Sequence, residues 1–532
     1  MATREEKFVL AVDLGTSGPK SAIVSTSGRV VADVFVANDL YLLEGGGAEQ
    51  DPEQWWQSIL ASLKTLLSKN LVSPTDIVAV SCSSQWSGTV AVDEDGRHLM
   101  NALVWLDSRG SKYIDRIIGG PLKVKGYSLG TLLRWVWLTG GAPSKSGKDS
   151  LAHILYIKNE LPDVYEQTHK FLEPKDYINL RLTGSFAAST DSIALHWVTD
   201  NRDIERVRYH DDLLHRTTLD PDKLPQLKQP GGLLGPLRAD LADELGLPRT
   251  VKVATGAPDV QAAAVGSGAV EDYSAHLYIG TSSWLTCHVP FKRTHFSTGI
   301  ISLPSAIPGR YFVANEQESA GACLSFLRDN IFFPQDRLHE MPAPLDFYEQ
   351  VDQMAGEVSP GSGGLLFLSW LYGERTPIDD RVIRGGFLNL SLNTTRAQLV
   401  RSVLEGVALN SRWLLEAVER FTRKRLDPIR IIGGGALSDT WCQIHADVLN
   451  RSIARVASPL LANVRGAAFL AAAALGYNSF SDIGDNVPIE RVFTPRSGNK
   501  RLYDLHFREF VGSYRRVRRT CLRLNRAFCD TF

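Results

Sequence analysis

The chain has no long apolar run. Nowhere in its 532 residues is there a stretch of the roughly 18 to 20 apolar residues that a membrane-spanning helix needs. Its first stretch, MATREEKFVLAVDLG, is charged and then strand-like, unlike the apolar core of a secretory leader. Cysteine is scarce. Cys82, Cys287, Cys323, Cys442, Cys521 and Cys529 are scattered, with no CxxC pair, so neither a zinc site nor a disulfide framework is expected. An excess of charge is also missing. The net charge is -1, which argues against nucleic acid as the main partner, although a small phosphorylated ligand needs only local donors. These absences together predict a protein of the reducing cytoplasm, with no membrane and no nucleic-acid partner.

What is present fits a globular enzyme, with 44% hydrophobic and 22% charged residues. The length exceeds one ordinary core, so two domains are expected. A Pro- and Gly-rich connection, PDKLPQLKQPGGLLGPLRAD from Pro221, precedes the strand-like TVKVATGAPD, and a boundary near 255 sets the expected domains at 1–255 and 256–532. Strand-like and helical segments alternate. FVLAVDLG, SAIVSTSGRVVADVFV and IVAVSCSSQ read as strands, and PEQWWQSILASLKTLLSKN reads as a helix behind Asp51. A long amphipathic helix is predicted from Thr394, with Asn393 as its cap, and an Ala-rich helix from Arg465. This is α/β with mixed sheets. The arginines of the C-terminal stretch, Arg515 to Arg526, read as a solvated helix face, with a nucleic-acid or membrane helix as the alternative.

One turn occurs twice. VLAVDLGTSGPKSAIV, from Val9, and HLYIGTSSWLTCHV, from His276, each pass from an apolar run through Gly-Thr-Ser into another. Such a turn offers successive backbone N–H groups and two hydroxyls, and its glycine lets a ligand approach closely. Two turns in two domains can grip a polyphosphate from opposite walls. A single one is as readily a plain hairpin. Asp13, beside the first, can hold a hydrated Mg²⁺, because hard cations favour carboxylate oxygens and water. A third segment, IIGGGALSDTW, runs from strand through Gly433, Gly434, Gly435 and Ala436 into a helix near Ser438. Its glycines suit a flat purine and ribose, and its helix N-terminus favours negative charge.

In these segments the chain resembles the FGGY-family carbohydrate kinases, within the sugar kinase, heat-shock protein and actin superfamily. DLGTSGPKSAIV is similar to the family's first phosphate segment, YIGTSSW to the second, and GGGALSDTWCQIHADVLN to the adenosine segment. GERTPIDDRVIRGGFLNLSLNTTRAQLVRSVLEGVALN, from Gly373, resembles a further family signature. The resemblance implies two ribonuclease H-like (actin-like ATPase) domains, each a mixed five-stranded sheet flanked by helices, around an interdomain catalytic cleft. It implies ATP and Mg²⁺ bound by Asp13, Gly15, Thr16, Ser17, Lys20, Gly280, Thr281, Ser282, Gly433, Gly434, Gly435, Ala436 and Asp439. Homodimers are common in such families.

ATGAPDVQAAAVG, from Ala254, places Asp259 between a strand and a small-residue helix. Transfer of a phosphoryl group to a hydroxyl needs an acceptor for the hydroxyl proton. The resemblance assigns that role to Asp259, and a helix cap is the plain structural alternative. Two neighbours depart from the family. Val260 stands where many members have Asn or Gln, and Pro258 stands where they have Gly.

The sugar is expected near SSQWSG and VWLDSRG. Gln85 and Gly88 match xylulokinase-like members, while Trp86 and Ser87 replace Met and His. The Arg-Glu pair of glycerol kinases is absent, which disfavours glycerol. Trp86 and Trp105 can stack on a sugar face while Gln85, Asp107 and Arg109 bond its rim. The equal alternative makes Trp105 core and Asp107–Arg109 a structural ion pair. Asp176 and Tyr177 fall on a further substrate-side segment. The expected activity is phosphorylation of a sugar, with a ketopentose such as D-xylulose foremost. Another pentulose, a polyol, a deoxy sugar, or a non-catalytic nucleotide-binding sensor are the alternatives.

Overall fold

The structure, a computed structural model, describes residues 6–124 and 126–526. The stretch before Glu6, the Arg526 side chain and Cys529 lie outside the described residues.

The first lobe is built on a hairpin. β1 (Phe8–Gly15) and β2 (Gly18–Ser25) pair antiparallel through Thr16 and Ser17, and β3 (Val30–Phe35) extends the meander. α1 (Pro52–Ser68) starts where the Asp51 carboxylate accepts from the Glu53 amide at 2.8 Å, with proline in the first turn. β4 (Ile77–Ser84) then returns parallel to β1. α2 (Pro174–Thr183) ends at Gly184, whose φ of 77° is the left-handed stop that glycine takes freely. β5 (Leu233–Pro236), β6 (Lys252–Ala254) and the short β7 (Ala257–Pro258) complete the sheet. Its order is β5–β6–β4–β1–β2–β3, with β7 also paired to β4. It thus has seven strands where five were expected. β5 extends the edge, and the chain breaks at Gly256 (φ 65°) before rejoining β4 as β7.

The second lobe repeats the plan. α3 (Asp259–Gly266) leads to β8 (Ala275–Ile279) and β9 (Ser283–Thr286), an antiparallel hairpin turning at Gly280–Ser282. α4 (Arg396–Thr422) begins two residues later than the Asn393 cap predicts. Thr395 Oγ1 accepts from the Gln398 amide at 3.2 Å while Gln398 Oε1 accepts from the Thr395 amide at 2.8 Å, a reciprocal box that Asn393 cannot form. β10 (Ile429–Ile432), α5 (Asp439–Leu449), β11 (Ile453–Val456), α6 (Ala462–Ala474), β12 (Ile489–Phe493) and α7 (Lys500–Arg526) follow. The sheet order is β9–β8–β10–β11–β12, with β8, β10 and β11 parallel. On α7, Arg515, Arg516, Arg519 and Arg523 are exposed, whereas Arg518 docks on Asp380. Among the described residues no helix is long and apolar enough to cross a membrane. Five described cysteines are free and buried.

Strand parity explains how the lobes join. Leu10, Val12 and Leu14 of β1 face α1, burying Trp55, Ile59 and Leu63 with them. Val9 and Ala11 point to the opposite face and pack against Val464, Ala467, Ala468 and Ala471 of α6. A helix from the second half of the chain therefore covers the first sheet. On the second sheet Leu277 and Ile279 pack toward α4 and α5, while Ile432 and Val456 meet α3 and α6. So α3 and α6 form a layer shared by both sheets. They cross at two glycines. A Cβ on Gly266 would fall 1.7 Å from the Ala462 carbonyl oxygen, and one on Gly466 would fall 1.8 Å from that of Ala262.

Candidate active site

The mouth of this shared layer collects the chemistry. Asp13 continues the Val9–Ala11 face of β1, so its carboxylate points toward α6. Its register partners on either side are Lys20 and Ser83. Ser83 Oγ donates to Asp13 Oδ1 at 2.6 Å, and the Asn463 side chain of α6 also bonds the carboxylate. Burial nevertheless raises the Asp13 pKa above the ordinary carboxylate value, against Ser83, Asn463 and the Lys20 charge. The Lys20 ammonium reaches the other lobe, donating to the Leu460 carbonyl at 3.1 Å.

Asp259 is the first residue of α3, just beyond the β7–β4 pairing. Asp13 and Asp259 thus stand at the carboxyl ends of β1 and β7, which flank β4. The Asp259 carboxyl is pushed up to about 8, first by burial and then by the charge of Asp13, with Glu316 adding to it. The Val260 amide donates to Asp259 Oδ1 at 2.8 Å and offsets part of this. The carboxylate is therefore a basic one, fixed by its own helix start. The cap position itself is taken by Pro258, so the plain helix-cap alternative for Asp259 does not hold.

The two Gly-Thr-Ser turns differ in what they leave free. In the first, Trp105 Nε1 donates to Thr16 Oγ1 at 2.9 Å, and Thr16 Oγ1 donates to Gln85 Oε1 at 3.0 Å. Gln85 Nε2 donates to Gln50 Oε1 at 2.7 Å, and Gln50 Nε2 returns to the Thr16 carbonyl at 2.8 Å. This closed ring spends the Thr16 hydroxyl and fixes the turn, leaving Ser17 exposed. In the second turn Thr281 is exposed and Ser282 partly so, and neither side chain bonds another described residue. Of the third segment, a Cβ on Gly433 would meet the Ile279 carbonyl at 2.5 Å and one on Gly435 the Ile279 side chain at 2.3 Å. Those two glycines let the turn lie against β8. Gly434 faces open space. Ala436 is buried, and the Asp439 carboxylate is taken by Arg455 (2.6 Å) and Arg491.

On the sugar side the residues separate. Gln85 and Trp105 join the Thr16 ring. Trp86 is partly buried, its indole donating to the Ser192 carbonyl at 2.8 Å, and Ser87 Oγ donates to the Lys148 carbonyl at 2.7 Å. Asp107 is fully buried. Its Oδ2 accepts from the Ala48 amide at 3.0 Å and from Arg109 Nε at 2.9 Å, and its Oδ1 accepts from the Arg109 amide at 3.0 Å. Arg109 also holds Glu49 at 2.6 Å and lies over the Tyr156 ring at 4.5 Å. These groups satisfy one another, as the structural alternative describes. Asp176 accepts from Lys175 and from Ser192 Oγ, the latter at 2.6 Å. Tyr177, one residue on, points about 100° round α2 into the first lobe's core, where its hydroxyl accepts from Arg181 at 2.8 Å. It is not brought to the cleft.

Sequence reasoning passed over Asn463 and Gln50, and gave no role of their own to Ser83 and Tyr278, which lie in the SSQWSG and YIGTSSW segments. Asn463 was legible as a polar residue, with Arg465, in the first turn of an Ala-rich helix. Ser83 followed from pairing β4 to β1.

The N-terminal domain of the FGGY family of carbohydrate kinases matches residues 8–266, and its C-terminal domain matches residues 276–475. A xylulose kinase of Staphylococcus epidermidis is 28% identical over 521 residues, covering 96% of this chain and 97% of its own. The structure of a xyloylose kinase from Brucella ovis superposes with a TM-score of 0.84 at 26% identity, over 95% of this chain and 98% of that one. A gluconate kinase from Lactobacillus acidophilus superposes with a TM-score of 0.83 at 25% identity, over 97% and 99%. The chain belongs to the FGGY family of carbohydrate kinases and is an ATP-dependent sugar kinase.

Proposed function

We propose that this kinase phosphorylates a ketopentose, D-xylulose foremost, with Asp259 as the base. The observation that carries the mechanism is the carboxyl of Asp259, partly buried at the start of α3 beside Asp13, with its proton affinity pushed up to about 8. A sugar hydroxyl presented to it loses its proton to the carboxylate as its oxygen attacks the γ-phosphorus of ATP. The new O–P bond forms, the bond from the γ-phosphorus to the β–γ bridging oxygen breaks, and ADP leaves. Ser17, Thr281, Ser282 and the backbone N–H groups of both turns are assigned to the phosphates, apart from the Gly280 N–H, which donates to the Ser282 carbonyl at 3.0 Å. Gly434 offers the open surface for the adenosine.

The acidic pair also fits a divalent cation. Asp13 and Asp259 repel each other, and the neighbouring Lys20 only partly offsets their charge. Asp13 would hold Mg²⁺ chiefly through water, since no group of three or more acidic, His or Cys ligands exists among the described residues. When bound, Mg²⁺ neutralises charge on the phosphates.

Xylulose as the substrate rests on the relatives' names and on Gln85 and Gly88 in the sugar segment. The five buried free thiols accord with a reducing cytoplasm. The test is ADP release from MgATP against a panel of D-xylulose, other pentuloses, polyols, deoxy sugars and gluconate. Stimulation by D-xylulose above all others supports the reading. Stimulation by another member reassigns the sugar, and none at all contradicts the assignment.

A further inference from the structure

Tyr278 sits between the two nucleotide segments without a role. It alternates with Leu277 and Ile279, so it lies on the face of β8 that meets α3 and α6. Its ring is clamped. It stacks on its cross-strand partner Trp284 with centroids 3.9 Å apart and planes 10° from parallel. The Trp284 indole is held in turn, donating to His276 Nε2 at 3.1 Å.

The ring spans from one glycine turn to the other. A Cβ on Gly433 would fall 3.0 Å from Tyr278 Cε2, and a Cβ on Gly280 would fall 2.2 Å from the Tyr278 hydroxyl oxygen. The phenol thus runs from the adenosine segment to the second Gly-Thr-Ser turn, and its hydroxyl fills the space where Gly280 has no side chain. That hydroxyl makes no hydrogen bond to any described residue. Tyr278 packs against the cluster that holds Ala257, Ala262 and Ala263 around the start of α3, where Asp259 begins. Burial and the charges of Asp259 and Asp13 keep its proton on, pushing the phenol up to about 12.

We propose that the Tyr278 hydroxyl is a nucleotide-binding group, donating a hydrogen bond to the polyphosphate of ATP from beneath the second turn. The inference rests on the reading of ATP as donor. A neutral O–H supplied by a rigid ring suits a phosphate oxygen. A hydroxyl bound to an anion is worth more than one bound to a neutral group. The stack with Trp284 removes the entropy cost of orienting it.

The test is Tyr278→Phe, which keeps the ring and its stack. Binding of AMP, ADP and a non-hydrolysable ATP analogue is measured by calorimetry, beside the melting temperature and the sugar KM. The expected result is about tenfold weaker ADP and ATP-analogue binding, with AMP affinity, sugar KM and melting temperature unchanged. Equal loss for AMP and ADP would overturn the phosphate contact, because the ring would then serve the adenosine segment. Unchanged ADP and ATP-analogue affinity in an active variant would overturn the proposal alone. Failure of the wild-type protein to bind ATP would overturn the kinase reading and this proposal together. If the Phe variant melts early, Tyr278→Trp, which restores an N–H on a rigid ring, must recover part of the ADP affinity, and a failure to do so counts against the proposal.

Discussion

Asp259 faces Asp13 across the end of β4: burial raises the proton affinity of Asp259, and the charge on Asp13 raises it further, to about 8. A base acts only when ionised. In the nucleotide-free protein at pH 7 the Asp259 carboxyl is largely protonated, and cations at the mouth draw the proton off. The kcat/KM for sugar is therefore expected to rise with pH along a limb whose apparent pKa exceeds the ordinary carboxylate value of 3.8. Raising Mg²⁺ shifts that limb to lower pH. A profile flat from pH 5 to 9 contradicts the coupling.

The same shift has a stability consequence. Between 3.8 and about 8 the folded protein holds a proton on Asp259 that the unfolded chain has released. The contribution of this group to stability is thus largest below 3.8 and falls as pH rises through that window. Asp259→Asn removes the buried charge. It is expected to raise the melting temperature at pH 8 by about 2 °C. It lowers kcat by roughly 10²- to 10⁴-fold while leaving ATP binding intact.

Trp105→Phe deletes the donor to Thr16 Oγ1 (2.9 Å) without removing the ring. The first phosphate turn then loses one of the bonds that fix it, worth about 1 kcal/mol. A fivefold to tenfold rise, as an order of magnitude, is expected in the KM for ATP, read from steady-state kinetics at saturating sugar. An effect on the sugar KM alone would instead make Trp105 a sugar platform.

Arg109 and Asp107 separate stability from binding. Arg109→Lys cannot reproduce the forked contact to Asp107 and Glu49 or the cover over Tyr156. A loss of roughly 2 kcal/mol in denaturant unfolding is expected, with the sugar KM unchanged. A raised sugar KM in a protein of normal stability would return the pair to the sugar site.

Gly466→Ala tests the shared layer. Its Cβ would fall 1.8 Å from the Ala262 carbonyl, so α3 and α6 must separate. A cost of about 1–3 kcal/mol or more is expected in unfolding. Activity falls too, because Asp259 begins the displaced helix.

Much of this was legible from local pattern. The two hairpins and the helix behind Asp51 follow from turn chemistry and apolar period. Asp13 and Asp259 were legible because each ends a strand at a turn or helix start. The ring of Thr16, Gln85, Gln50 and Trp105 was not, because it joins residues up to 89 apart in sequence through side-chain hydrogen bonds closed on the Thr16 carbonyl. Nor was the burial of Tyr177, since adjacent residues on a helix diverge by about 100° and the sequence does not say which faces the cleft. The α6 helix covering the first sheet was hidden for a similar reason. Its small residues fit either lobe, and only the Gly266–Gly466 crossing settles where it packs.

The central claim is phosphoryl transfer to a sugar with Asp259 as proton acceptor. The direct measurement is phosphorus NMR of ATP, Mg²⁺ and D-xylulose with the wild-type protein, and with Asp259→Asn in parallel. One new phosphomonoester is expected for each ADP formed, appearing at least about 100-fold more slowly with the variant. ADP accompanied only by inorganic phosphate, or sugar phosphate formed at the wild-type rate by Asp259→Asn, would contradict it.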